Sequence, residues 1–249
     1  MIYQILSILL AVIVFICSII LWMWYKNPQY LISNLNNRID DNQETIISAW
    51  DSENKNIVEF NQLITINHDD ILAEVIETMK EYKDVPMNEI SSINEEWLKN
   101  EDKWHPIWVR FMGEWTKTAD KLPTLKRIAS LFPEVVVLHV SIFYPGMTII
   151  EHKGIARSVD RYHYGLKVPT NDIGLKIGNM DVKWQEKEGY VWDDTISHSV
   201  WNNSETVRIV IFADIFKDLS MISALESKVI YSLLRRTKYV MDIKNRLVS

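Results

Sequence analysis

Residues 135–152 read VVVLHVSIFYPGMTIIEH, and residues 207–216 read VRIVIFADIF. Both are rich in β-branched and aromatic side chains, and Pro145-Gly146 is a turn signal between two such runs. Shorter runs of the same texture recur at 108–112, 162–168, 175–177 and 190–192, with one helical stretch at 125–132. Many short strands at this spacing predict a mainly β fold, and a jelly roll fits. Period-two alternation then assigns faces. Ser141 shares a face with Val137, His139 and Phe143, and His152 with Thr148 and Ile150. Arg161 and His163 point one way and Tyr162 and Tyr164 the other, while Arg208 shares its face with Val210 and Phe212. Each strand can therefore send a polar group into one cavity. An Arg on a buried face is costly to leave unpaired, so Arg208 calls for an anionic partner.

Outward from this core, the organisation reads as four parts: 1–25, 26–103, 104–216 and 217–249. Residues 27–68 are rich in Asn, Asp and Ser and read as a stalk or loose helical collar. Asp69-Asp70 opens a helix with Ile71, Val75 and Met79 at four-residue spacing, and a short helix is expected at 93–100. The tail returns to helical periodicity through Ile222, Leu225, Val229 and Leu233, then Val240, Ile243 and Leu247. Its Lys and Arg residues suit a helix on an anionic membrane surface or against a second copy. They equally suit a helix packed on the barrel with a solvated basic face.

Residues 2–24 (IYQILSILLAVIVFICSIILWMW) carry no charge, and about 20 apolar residues suffice to span a bilayer. Trp22, Trp24 and Tyr25 stand where an aromatic belt belongs. The run is too long for a signal-peptide core and lacks a basic leader, so a retained single-pass anchor is expected. Lys26 and Arg38 follow the run and no Lys or Arg precedes it, which places the remainder on the cytoplasmic side. A net charge of −6 over 249 residues argues against a nucleic-acid partner. The lone Cys17 excludes an internal disulfide or a thiolate metal site. Trp184, Trp192 and Trp201 are read as core filling near the candidate site, and the Asn202-Asn203-Ser204 sequon as accidental.

The chemistry rests on three residues. His152 is followed forty-six positions later by His198 and ten positions after that by Arg208. That is the spacing of an Fe(II)/2-oxoglutarate oxygenase: neutral imidazoles hold ferrous iron and an Arg fork grips a distal carboxylate. Where most such enzymes have an acid two residues after the first His, this chain has Gly154. Glu151 points to the opposite face and Asp160 falls in an expected loop, so neither replaces it. His68, His105 and His139 are read as structural.

The stretches SIFYPGMTIIEHKG, DRYHYGLKVP and WQEKEGYVWDDTISHSVWNNSETVRIVIFADIF resemble the aspartyl/asparaginyl β-hydroxylase family. The resemblance covers roughly 104–216 and includes a PG-x-x-x-x-x-H-x-G motif and a DD-x-x-x-H-x-x-W-N motif. It implies a double-stranded β-helix (cupin-like), with Fe(II) as metal and 2-oxoglutarate and O2 as cosubstrates. It also implies iron held by His152 and His198 alone, with water where Gly154 leaves a gap. By position, Arg208 and Ser141 would bind the distal carboxylate of 2-oxoglutarate. His163 and Arg161 would contact cosubstrate carboxylates, and Asp194 would hold the water. One family Arg has no counterpart, because Val159 stands two positions before Arg161. The expected activity is hydroxylation of an unactivated C–H, on an Asp/Asn-type protein residue or a lipid acyl chain. The competing expectation is an inactive membrane-tethered jelly-roll module.

Overall fold

The computed structural model describes residues 28–37, 39, 46–81, 87, 98–99 and 101–248, with 12, 14, 15, 18, 19 and 22. The expected anchor lies almost wholly outside the described residues. Its six described members are helical. Among the described residues, no helix is long and apolar enough to cross a membrane.

The fold is two facing antiparallel sheets with flanking helices. Strands β1 (Ile47–Ser48), β2 (Leu98–Lys99), β3 (Trp104–Phe111) and β4 (Glu114–Trp115) precede the eight that build the barrel. Those eight are β5 (Val135–Phe143), β6 (Met147–His152), β7 (Val159–Lys167), β8 (Ile173–Ile177), β9 (Met180–Val182), β10 (Gly189–Trp192), β11 (His198–Asn202) and β12 (Arg208–Phe216). One sheet runs β1-β10-β7-β12-β5-β3-β4 and the other β2-β6-β11-β8-β9. From β5 onward the chain crosses between the sheets at most connections, the strand alternation of a double-stranded β-helix. The first crossing turns on Pro145-Gly146, where Gly146 takes φ +85°, a conformation that a side chain disfavours.

Alternation divides the larger sheet into two chemistries. One face of β12 sends Ile209, Ile211, Ala213 and Ile215 into a dry core with Val140, Ile142, Tyr162 and Tyr164. Helices α2 (Lys55–Ile66), α3 (His68–Glu81) and α4 (Pro123–Ser130) close that core with Ile57, Phe60, Ile64, Ile71, Val75, Leu125 and Ile128. The other face looks into the barrel, where Phe143, Val210, Trp184 and Trp192 meet Met147, Leu175 and Val200 of the smaller sheet.

Three expectations change. The stretch read as a stalk or loose helical collar holds α2, which is packed rather than loose: its Ile57, Phe60 and Ile64 are fully buried. Within the expected helix at 93–100, Leu98 and Lys99 instead form a strand beside β6. Residues 198–202, not read as a strand, form β11 in the middle of the smaller sheet. The tail forms α5 (Met221–Leu234) and α6 (Lys238–Leu247). Helix α6 packs on β3, places Ile243 in the inter-sheet core and ties Lys244 to Glu114 at 2.7 Å. Helix α5 packs against α1 (Pro28–Asn36).

Candidate active site

His152 ends β6 and His198 begins β11, and the ladder pairs them directly across the two strands. Their ring centroids lie 4.2 Å apart. Each ring bonds a backbone carbonyl two residues upstream: His152 Nδ1 to Ile150 at 2.9 Å and His198 Nδ1 to Ile196 at 2.8 Å. A carbonyl only accepts, so each Nδ1 carries the proton and each Nε2 presents a lone pair. Burial lowers both pKa values, that of His198 to about 3 with His152 adding to the shift. Two neutral imidazoles aimed from neighbouring strands are a donor set for a divalent metal.

A third ligand is not supplied, since among the described residues no three His, Cys, Asp or Glu side chains gather to hold a metal. Glu151 instead accepts from Ser197 Oγ at 2.5 Å, and Asp160 faces Lys217 at 3.7 Å. Gly154 has a steric reason to be glycine. A Cβ built there would fall inside the Asp194 carboxylate, and the Gly154 N–H donates to the Asp194 carbonyl at 2.7 Å. Asp194 thus fills the space that an acid at 154 would need. Arg161 fixes it, donating from Nη2 to Asp194 at 2.5 Å and from Nε to Asp214 at 2.7 Å. Burial lifts the Asp194 carboxyl to about 6, while Arg161 pulls the other way. Asp194 Oδ1 is buried without a hydrogen-bond partner among the described residues.

Deeper in the barrel lies Arg208, only 1% exposed. Its guanidinium lies between the rings of Phe143 (3.9 Å) and Trp184 (4.4 Å). Nη2 donates to Ser141 Oγ at 3.3 Å, and Trp104 Nε1 donates to the same hydroxyl at 3.1 Å. Among the described residues, Nε and Nη1 have no hydrogen-bond partner and no carboxylate forms an ion pair with this cation. Burial lowers its pKa to about 9, so it stays charged at neutral pH. A buried, charged, half-satisfied guanidinium is strongly unfavourable unless an anion completes it. His163 shows the same incompleteness: it is buried among Trp184, Trp192 and Phe212, and among the described residues neither ring nitrogen has a hydrogen-bond partner. Burial holds it neutral, with Arg208 and Arg161 pushing the same way.

The seven expected site residues, Ser141, His152, Arg161, His163, Asp194, His198 and Arg208, therefore all lie on the inner face or at its rim. Arg161 differs in its partners, since its guanidinium is engaged by Asp194 and Asp214. Phe212, expected on the Arg208 face, stacks on His139 at 4.3 Å, and His139 sits on the site face with its pKa lowered to about 3, first by burial. Asp214 is the addition: it follows Arg208 and Phe212 at steps of two, and that alternation is the signal for it. Trp184 and Trp192 line the site, whereas Trp201 packs over Gly174. Val159 is buried and pairs with Phe216.

Residues 65–218 match the family described as aspartyl/asparaginyl beta-hydroxylase. The chain belongs to the aspartyl/asparaginyl β-hydroxylase family. Among relatives of this hydroxylase-family chain, an ornithine lipid ester-linked acyl 2-hydroxylase from Rhizobium tropici is 27% identical over 60% of this chain and 54% of its own. The human aspartyl/asparaginyl beta-hydroxylase is 24% identical over 48% of this chain and 16% of its own. The chain thus spans about half the length of the first relative and far less of the second. A prolyl hydroxylase from Trichoplax adhaerens, solved with a hypoxia-inducible-factor peptide, superposes with a TM-score of 0.44 at 13% identity, over 84% of this chain and 96% of that one.

Proposed function

We propose that this chain is an Fe(II)- and 2-oxoglutarate-dependent hydroxylase that acts on a lipid acyl chain and is tethered to a membrane by residues 2–24. The observation that carries the cosubstrate is the buried Arg208, a charged guanidinium with two nitrogen sites open and Ser141 beside it. A dicarboxylate keto acid matches that guanidinium in charge, and a fork-to-carboxylate contact matches it in shape. His152 and His198 would hold the metal through Nε2. His163 has an N–H to offer a second carboxylate. Asp194, clamped by Arg161 and standing where an acid at 154 would need to be, would orient a water beside the metal. When bound, ferrous iron and 2-oxoglutarate supply the oxidising chemistry: the keto acid and O2 become succinate and CO2 as C–H becomes C–OH. The surrounding aromatic wall of Trp104, Trp108, Trp184, Trp192 and Phe212 excludes water from the reacting centre.

Three features favour a lipid over a protein side chain: the apolar run at 2–24, the named activity of the Rhizobium relative, and apolar Val159 where a family Arg would stand. An Asp or Asn residue of a protein is the second reading, favoured by the match to the human enzyme. Against an inactive module stands Arg208, because a purely structural barrel gains nothing from an uncompensated internal cation.

The test uses the full-length chain. It should convert 2-oxoglutarate to succinate only with Fe(II), and the product on membrane lipid should gain one oxygen by mass spectrometry. His198→Ala should lose bound metal. Arg208→Met should keep it, yet require roughly tenfold to hundredfold more 2-oxoglutarate, the range of a charge-assisted hydrogen bond. A wild-type chain that binds neither metal nor keto acid would make the inactive module the better account.

A further inference from the structure

We infer that α5 is an interfacial helix, lying in the headgroup–acyl boundary of the bilayer that holds residues 2–24, and that it seats the mouth of the site on that surface. The inference rests on the anchor reading above. Its first support is an apolar stripe left open on a helix whose packed side is also apolar. Met221, Ile222, Leu225 and Val229 are 86%, 68%, 64% and 43% exposed. At about 100° per residue these four fall within one arc of roughly 100°, with exposed Lys228 at its edge. The opposite side, facing the protein, buries Ser227 and Ile230. A helix that leaves four large apolar side chains open along one stripe, with Ser232 among them, is short of a partner.

The second support is what α5 is bolted to. Ile32, Leu35 and Ile39, in and just after α1, form a small core with Ile230, and Leu233, Leu234, Leu219 and Ala156 pack against it. Helix α1 begins only four residues after Trp24, so the end of the apolar run lies within about 14 Å of it along the chain. An anchor ending there holds α1, and with it α5, at the membrane surface. Lys228, Arg236 and Lys238 are exposed on or just beyond α5, the charge that suits anionic headgroups.

The third support is the link to the site. Asn36, the last residue of α1, donates to the Ile155 carbonyl at 2.9 Å and accepts from the Arg157 N–H at 2.9 Å. That segment follows His152-Lys153-Gly154 directly, and Ile155 is itself exposed. Helix α5 reaches the site from the other side. Tyr231 packs on Phe216 at 4.8 Å, and its pKa is raised, first by burial and then by Asp214 and Asp194. One rigid corner therefore joins the end of the apolar run, the exposed stripe and the rim beside Asp194. An acyl chain lying in the same leaflet would need no transfer through water to reach the barrel.

The experiment places an environment-sensitive fluorophore on single cysteines at Ile222→Cys, Leu225→Cys and Glu205→Cys, with Cys17→Ser. All three are exposed, so the label should not perturb the fold. Glu205 precedes the start of β12, roughly 30 Å from the α5 end of that strand. The full-length chain is reconstituted at one copy per nanodisc of phosphatidylcholine and phosphatidylglycerol. Expected is a blue-shifted emission at 222 and 225, quenched by lipid carrying a shallow acyl-chain quencher, with aqueous emission at 205. Aqueous emission at 222 and 225 from a chain that resists alkaline carbonate extraction would overturn this proposal and leave the anchor standing. Extraction by carbonate would overturn both. A shift that arises only with two copies per disc would assign the stripe to a second copy and also overturn it.

Discussion

At the scale of single residues, the site is organised by what Gly154 lacks. Any side chain there would displace the Asp194 carboxylate, which in turn is the grip of Arg161. Gly154→Ala is therefore expected to cost about 1–3 kcal/mol, the usual range for forcing a methyl into a filled space, and to weaken metal retention. Chemical denaturation and metal analysis of the purified variant check this. A variant as stable as wild type, with full metal, would mean that Asp194 yields freely and does not define the gap. The same packing accounts for the failure of Glu151 and Asp160 as substitutes: one is spent on Ser197 and the other faces Lys217.

At the scale of elements, β12 separates stability from chemistry by alternation alone, and that part was open to reading. Arg208, Val210 and Phe212 go inward because Ile209, Ile211 and Ala213 must go to the helices. What escaped was short or disguised. Strand β11 reads HSVWN, with polar residues at both ends, and it is a strand because β6 and β8 pair with both of its edges. Helix α2 lies among Asn-rich neighbours that suggest a loose collar, although Ile57, Phe60 and Ile64 keep a helical step. Asn61 belongs to the core too, its Oδ1 accepting from the Tyr162 hydroxyl at 2.9 Å. Phe60 meets Phe132 and Tyr162 edge-on at 5.5 and 5.3 Å. Phe60→Ala should cost about 3–5 kcal/mol by denaturant unfolding. A loss under 1 kcal/mol would return this stretch to the status of an appendage. The partners of Arg161 were likewise illegible, because Asp194 and Asp214 lie 33 and 53 residues away and only the fold joins them.

At the scale of the whole molecule, a buried charge cluster holds distant segments together. Lys217, just past β12, meets Asp193 at 2.8 Å and Asp160 at 3.7 Å, and Arg157 approaches Asp193 at 3.9 Å. Burial raises the Asp160 carboxyl from 3.8 to about 6, with Lys217 opposing. Between about pH 4 and 6 the folded chain keeps a proton that the unfolded chain has released. Stability from this group therefore falls as pH rises through that window and stays lower above it. Asp160→Asn removes the penalty and leaves Lys217 its contact with Asp193. Relative to wild type, the variant should gain about 1–3 kcal/mol between pH 4 and pH 7, read from unfolding midpoints. A difference that does not change with pH would show that Asp160 is ionised as easily folded as unfolded.

Asn202 has a consequence for experiments on sidedness. Its side chain is fully buried, with Nδ2 donating to the Phe143 and Thr206 carbonyls and Oδ1 accepting from Ser204. A glycosyltransferase cannot reach this amide once the barrel has closed. An unmodified wild-type chain is thus uninformative about which side of a bilayer the barrel occupies, and glycan mapping must use an acceptor introduced on an open loop.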